Sequence, residues 1–283
     1  LLAVELRIEK FERRLMQKNL IELDDVSLRY GGGSVLALDA TDMRIAPGDF
    51  IAIVGPSGCG KSTVLKLVSG LIAPTTGTVI VDSREVKGPS KGVGMAFQNP
   101  TMLPWLTIRD NIMLPLKIVA PFRTDYARKK NGEFAERAEA LLKRVGLAGF
   151  GDKRPWQLSG GMLQRASLCR ALIHEPKLLL LDEPFGALDQ FTREELWSIM
   201  QQLWMDKKPT VILVTHDLRE ACYLANRIYV MSARPGKVLE VRDVGFARPR
   251  TLDLTYSAPF VEVMHALRMR IADARTQALK EAA

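Results

Sequence analysis

The sequence predicts an α/β fold: a mostly parallel sheet with an antiparallel β part ahead of it and a helical part inserted into it. Three observations carry this. Phe50–Val54, an apolar run of strand length, leads into Gly55-Pro56-Ser57-Gly58-Cys59-Gly60-Lys61-Ser62-Thr63, and the mostly apolar, helix-like stretch 64–71 follows. Residues 178–181 (four leucines) and 210–214 are continuous apolar runs, the pattern of strands covered on both faces. Between about 108 and 150 the apolar period changes, and Phe134, Ala138, Leu141, Leu142 and Val145 recur at helical spacing.

The elements follow in order. Residues 5–18 are charged with scattered apolar positions and read as a loose helical extension. From 20 to 30 polar and apolar residues alternate, Gly31-Gly32-Gly33 makes a turn, and 35–38 starts a return strand, giving an antiparallel hairpin. After the helix at 64–71, a turn at 74–77 precedes strands at 78–81 and 94–97, the second ending at Gln98. The loop 99–107 sets Met102, Leu103, Trp105 and Leu106 among prolines; it is either a packed loop or a docking surface. Glu133 and Glu136 ahead of Lys143 and Arg144 suit a helix dipole. A further helix opens at Ser159-Gly160-Gly161, another spans about 194–205, and short strands are expected at 228–231 and 238–241. A basic, proline-containing tail with a terminal helix closes the chain, its charges expected to form a solvated face. The organisation is therefore an extension (1–19), a main domain (20–245, with its helical part at about 100–172) and a basic tail (246–283).

Composition bounds the partners. With 283 residues, 47% hydrophobic and 25% charged, there is material for a full core. A net charge of +8 suits nucleotides, nucleic acids and anionic headgroups alike. Three scattered cysteines, Cys59, Cys169 and Cys222, form no C-x-x-C pair and point to a reducing, cytoplasmic setting. No apolar run reaches bilayer length, so any membrane role is expected to come through a partner.

The motifs point to phosphate chemistry. Residues 55–63 fill every fixed position of G-x-x-x-x-G-K-[ST] between a strand and a helix. In that context glycines let backbone N–H groups and a helix N-terminus face phosphates, Lys61 adds a mobile charge, and the Ser62 hydroxyl is a hard ligand for Mg²⁺. The 178–181 run ends in Asp182-Glu183, at the strand end where such sheets keep ligands. Asp182 suits Mg²⁺, and Glu183 suits polarising a water for attack on a γ-phosphate. His216 follows the next buried strand and is read as a phosphate sensor, whereas His174 and His265 read as structural or solvated. Asp217 with Glu220 resembles a capping box. Tyr30, at the hairpin end, is either an edge tyrosine or a ring stacking on adenine. Gly160 and Gly161 after the N-cap Ser159 offer a second anion-ready helix start, which suggests a nucleotide shared between two sites or two copies of the chain.

Taken together, the loop at 55–63, Gln98, LSGGMLQR at 158–165, LLLLDEP at 178–184 and VTHD at 214–217 resemble the ATP-binding subunit of an ABC transporter. MLPWLT, DEPFGALDQFTREELW and MSARPGKV resemble the nitrate/sulfonate/taurine importer branch. Leu163 departs from the commoner Gln after the Leu-Ser-Gly-Gly signature, beyond the phosphate contacts. The resemblance implies a P-loop NTPase core, ATP and Mg²⁺, and a head-to-tail homodimer in which Ser159, Gly160 and Gly161 complete the partner's site. It also implies adenine stacking at Tyr30, a Mg²⁺ and membrane-partner contact at Gln98, and a loop facing the opposite site at Asp189. His216 becomes the γ-phosphate contact. It further implies integral-membrane permease subunits, indirectly a substrate-binding protein, and a peripheral place at the cytoplasmic face of the membrane. The alternative is a soluble ATPase of the same family acting on DNA or ribosomes. Neither the long heptad insertion nor the second cassette that would mark it is present, and no nucleic acid is expected.

Overall fold

The computed structural model describes residues 19–281; the helical extension expected over 5–18 lies outside the described residues. Strand β1 (Ile21–Tyr30) pairs antiparallel with β2 (Val35–Ile45) and, on its other side, with β4 (Thr76–Val81), which carries the two-residue β5 (Arg84–Glu85). The alternation in β1 survives an interruption. Asp25 sits at φ +48°, and the register to β2 shifts between Leu23 and Val26, so Ile21, Leu23, Val26 and Leu28 are all buried.

The second sheet holds β3 (Phe50–Val54), β6 (Val93–Ala96), β7 (Leu178–Asp182), β8 (Thr210–Val214), β9 (Arg227–Met231) and β10 (Val238–Asp243), in the order β10-β9-β3-β8-β7-β6. All neighbours are parallel except β10 on β9. The α/β reading holds, and so does its cause. Ile51, Ile53, Leu178 and Leu180 enter a core shared with the antiparallel sheet and helix α1 (Lys61–Val68). Phe50, Ala52, Leu179 and Leu181 enter a second core on the opposite face. A strand whose two faces both meet cores needs no polar face, which is why these runs are continuously apolar.

Helix α1 is shorter than the sequence suggested and ends at Val68. Gly70, at φ +75°, turns the chain: Leu71 N donates to Lys66 O at 2.9 Å and Gly70 N to Leu67 O at 3.0 Å. This Schellman arrangement satisfies the last carbonyls and leaves Leu71 outside the helix, 49% exposed.

The helical part contains α2 (Ile108–Met113), α3 (Phe122–Lys129), α4 (Glu133–Arg144) and α5 (Gly160–Leu172). In α4, Phe134, Ala138 and Leu142 are buried, followed by Val145 just beyond its end. Helices α6 (Gln190–Lys207) and α7 (Leu218–Leu224) flank β8, and α8 (Ala258–Glu281) closes the described chain.

The basic tail is not a solvated face throughout. Arg250 is only 3% exposed, and its guanidinium donates to the carbonyls of Cys222, Tyr223 and Ala225 at the end of α7 and to those of Val244 and Phe246. Arg248 donates to Leu224 O and lies over the Trp204 ring. A charge count cannot tell such an inward clamp from a surface arginine. Burial, with Arg248 beside it, lowers the Arg250 pKa to about 9, so the side chain stays charged at neutral pH. Arg250→Ala removes the cap from α7 and leaves five carbonyls short of a donor, an expected loss of about 2–4 kcal/mol. A urea titration monitored by tryptophan fluorescence checks this. Lysine should not restore the loss, because an ammonium lacks the planar fork.

Candidate active site

The parallel strands bring their carboxyl ends together. Ile53 of β3 and Asp182 of β7 both pair with Val214 of β8, and Ala96 of β6 pairs with Leu181. Four segments distant in sequence therefore emerge side by side: the 55–63 loop after β3, Gln98 after β6, Asp182-Glu183 at β7, and His216 after β8. Gln98 stands two residues past its strand, which ends at Ala96 rather than at Gln98 itself.

The loop leaves backbone donors open at a helix start. Gly60 takes φ +98° at the N-cap of α1 and supplies no side-chain cap, so the first N–H groups of the helix keep no competing side-chain acceptor. Lys61 is buried, and its Nζ donates to Gly55 O and Pro56 O, both at 2.9 Å. Cys59 packs inward and is fully buried, and burial pushes its thiol pKa up. Its side chain is therefore a packing group, poorly reactive even without a ligand. Ser57 and Gly58 are exposed, and Thr63 Oγ1 lies 3.3 Å from the Tyr30 hydroxyl. That contact ties the hairpin end to the phosphate helix while leaving Tyr30 37% exposed.

Ser62 Oγ donates to Asp182 Oδ1 at 2.8 Å. Burial holds the Asp182 carboxyl above the usual range, only partly offset by the Ser62 bond. A hydroxyl and one desolvated carboxylate suit Mg²⁺, which binds few protein oxygens and keeps its remaining places for water and phosphate. The residues present fit that ion.

Glu183 breaks from its strand with φ +46°, a conformation costly for a residue with a Cβ. Its Oε2 accepts from Gln98 Nε2 at 3.2 Å and lies 3.2 Å from His216 Nδ1. One carboxylate oxygen thus collects two side chains from neighbouring strands. His216 is otherwise open to solvent. Asp217 caps α7 by accepting from Arg219 N and Glu220 N, but Glu220 does not complete the capping box. Its carboxyl is buried between α6 and α7, and burial raises its pKa well above the usual value, with Asp217 adding to the rise.

Ser159 caps α5 through Met162 N at 3.3 Å, and Ser159 and Gly160 are exposed. Among the described residues neither is hydrogen-bonded to the 55–63 loop of the same chain. A Cβ on Gly161 would lie 2.9 Å from Leu188, so the 185–189 loop rests against this turn. Asp189 caps α6 through Thr192 N at 3.0 Å, and that bond lowers its pKa.

Sequence reasoning missed several supports. Gln164, in the signature helix, is buried and donates to Phe97 O beside Gln98. Arg234 donates to Gly58 O from the β9–β10 turn. Gly236 in the same turn leaves no room for a side chain, since a Cβ there would lie 2.0 Å from Cys59 O. The stretch MSARPGKV was visible, but only as a marker of resemblance. Nothing in it says that the turn braces the phosphate loop from behind.

A larger cavity, about 660 Å³, lies elsewhere. Gly48 and Thr210 line it, just before β3 and at the first residue of β8, so it opens at the amino ends of the strands. Sheets of this kind bind ligands at the other end.

Comparison with known proteins agrees with the geometry. The family model described as ABC transporter matches residues 38–186. The aliphatic sulfonates import ATP-binding protein SsuB of Bacillus anthracis is 43% identical over 218 residues, covering 77% of this chain and 82% of that protein. An uncharacterized ABC transporter ATP-binding protein of Methanocaldococcus jannaschii is 39% identical over 242 residues, 86% of each chain. A solved dimeric ATP-binding cassette, in a post-hydrolysis state with ADP and Pi, is 32% identical with a TM-score of 0.69. The match covers 80% of this chain and 100% of that one.

Proposed function

Since the chain belongs to the ABC transporter family, we propose that it is the ATP-hydrolysing subunit of an importer for a small solute of the nitrate, sulfonate or taurine kind, working through a separate membrane permease. The observation that carries this is the convergence at Glu183 Oε2, where Gln98 and His216 meet one carboxylate beside the Ser62–Asp182 pair. The sulfonate-import relative supports the solute class.

In this reading the 55–63 loop and Lys61 hold the phosphate tail, and Tyr30 stacks on the adenine. Ser62 and Asp182 hold Mg²⁺, with Gln98 as a further ligand. That ion, when bound, neutralises charge developing on the phosphate oxygens. Glu183 orients and polarises the attacking water, and His216 contacts the γ-phosphate end. Ser159, Gly160 and Gly161 complete the site of a second, head-to-tail copy, with Asp189 in the loop facing it. Residues 20–245 form the cassette, with 1–19 and 246–283 as appendages. No helix among the described residues is long and apolar enough to cross a membrane. In the proposed assembly the protein sits peripherally at the cytoplasmic face, with a substrate-binding protein delivering solute to the permease.

The 102–107 loop is the proposed contact with the permease. It is held, not slack: buried Asn111 accepts from Leu103 N at 2.7 Å and donates to Leu103 O and Thr107 O. Arg154 donates to Trp105 O, yet the Trp105 ring is 68% exposed, with Trp156 nearby in sequence to Arg154 and similarly open. A rigid loop presenting an aromatic is the kind of anchor that dominates interfaces. Copurification with the permease and solute-stimulated ATPase in vesicles test the proposal. Trp105→Ala should weaken association by about tenfold or more while ATP binding is unchanged. ATPase activity that ignores both permease and solute would overturn the transport reading.

A further inference from the structure

The C-terminal helix faces the 55–63 loop across a cavity. A cavity of about 340 Å³ is walled by Gly55, Pro56 and Ser57 on one side, His216 on another, and Arg268 and Arg275 of α8 on a third. Arg268, Ile271 and Arg275 are spaced i, i+3, i+7, so they share one face of α8. The helix is fixed in place: Phe260 and Leu267 are buried in the main core, Phe260 stacks on Phe246 with centroids 5.5 Å apart, and α8 packs on α7 and β9. Both arginines are exposed, and among the described residues neither has a hydrogen bond or ion pair.

Two guanidinium groups on one face of this helix line the same cavity as residues 55–57 of the loop. The charges of the site bear on what they could meet there. Asp182 and Glu183 stand at the phosphate end of the site, with Lys61 and Lys66 acting on Asp182 and Arg234 held at Gly58 O. A bound triphosphate brings more negative charge than a single Mg²⁺ offsets. Further cations close to Ser57 and His216 offset the excess.

We propose that Arg268 and Arg275 are nucleotide-binding residues, a basic wall contributed by the C-terminal helix to the phosphate end of the ATP site. The proposal rests on the nucleotide reading of the 55–63 loop and extends the site beyond the cassette into the tail. The guanidinium groups bind the anion directly or through water and take no part in bond breaking. Because the wall lies on the Ser57 and His216 side, it favours ATP over ADP, and over AMP more strongly still.

The test is a fluorescence titration of the full chain with MgATP, MgADP and AMP at several salt concentrations. The Arg268→Gln/Arg275→Gln double variant should bind MgATP about fivefold to tenfold more weakly, with a shallower dependence of affinity on salt, while AMP binding stays as in the wild type. The Lys/Lys variant should recover most of the loss, which a purely structural role for the arginines would not produce. Both positions are exposed, and circular dichroism confirms that each variant is folded; either single variant provides the same readout at smaller amplitude. A double variant with wild-type MgATP affinity and salt dependence overturns the assignment of the arginines. A wild-type chain that binds no MgATP overturns the nucleotide reading itself, and with it this extension.

Discussion

Glu183→Gln is expected to abolish turnover while leaving ATP bound. The substitution keeps the size of the side chain and so should not disturb the packing around β7 and β8. What it removes is the charge. In the structure Glu183 Oε2 is the acceptor on which Gln98 Nε2 and His216 Nδ1 converge, each at 3.2 Å. A carboxylate there polarises a water strongly; a neutral amide does not. Loss of such a group costs about 10²–10⁴-fold in rate. Phosphate release should fall by that factor, while MgATP affinity stays within about twofold of the wild type, since the loop and Lys61 are untouched. If hydrolysis is what separates the two copies, the variant should also accumulate as an ATP-bound dimer, seen by size exclusion with light scattering. Turnover at the wild-type rate would remove Glu183 from its proposed role.

This cluster was legible in the sequence because its parts sit on unusually plain elements. Strands buried on both faces read as unbroken apolar runs, so the residues that end them, Val54, Asp182 and Val214, could be placed from the pattern alone. Parallel register then did the rest, since strands ending level must bring their following loops together. Where burial and polarity disagree, the reading failed. Arg250 and Glu220 are charged residues in the interior, where the sequence suggested a solvated face for the one and a capping box for the other. The two-residue β5 has exposed side chains and pairs only through β4, leaving no periodicity to find. Gly236 matters through a backbone approach to Cys59 from the far end of the domain, and a single sequence carries no trace of that contact. The α8 arginines belong to the same class. Their spacing was visible, but the cavity they face was not.

The second large effect is expected at Lys61. In the structure its ammonium is buried against the loop's own carbonyls, Gly55 O and Pro56 O, at 2.9 Å each. This arrangement keeps the charge inside the loop, ready to turn toward a phosphate, and ties the first residues of the loop to the first turn of α1. Lys61→Ala removes both functions. Losing one charge-assisted hydrogen bond to the phosphate tail is worth about 1.5–3 kcal/mol, or roughly 10–150-fold in Kd. The loop brace is lost as well, so the measured effect should fall toward the upper part of that range. Isothermal titration with MgATP gives the affinity, and a thermal melt without nucleotide separates the two contributions. A small change in Tm with a large rise in Kd assigns the effect to the phosphate. A large fall in Tm assigns part of it to the two carbonyls. The contrast with Glu183→Gln is itself a test, because one variant should bind without turning over and the other should fail to bind. A Lys61→Ala variant that binds MgATP as tightly as the wild type would mean that the 55–63 loop is not the phosphate site.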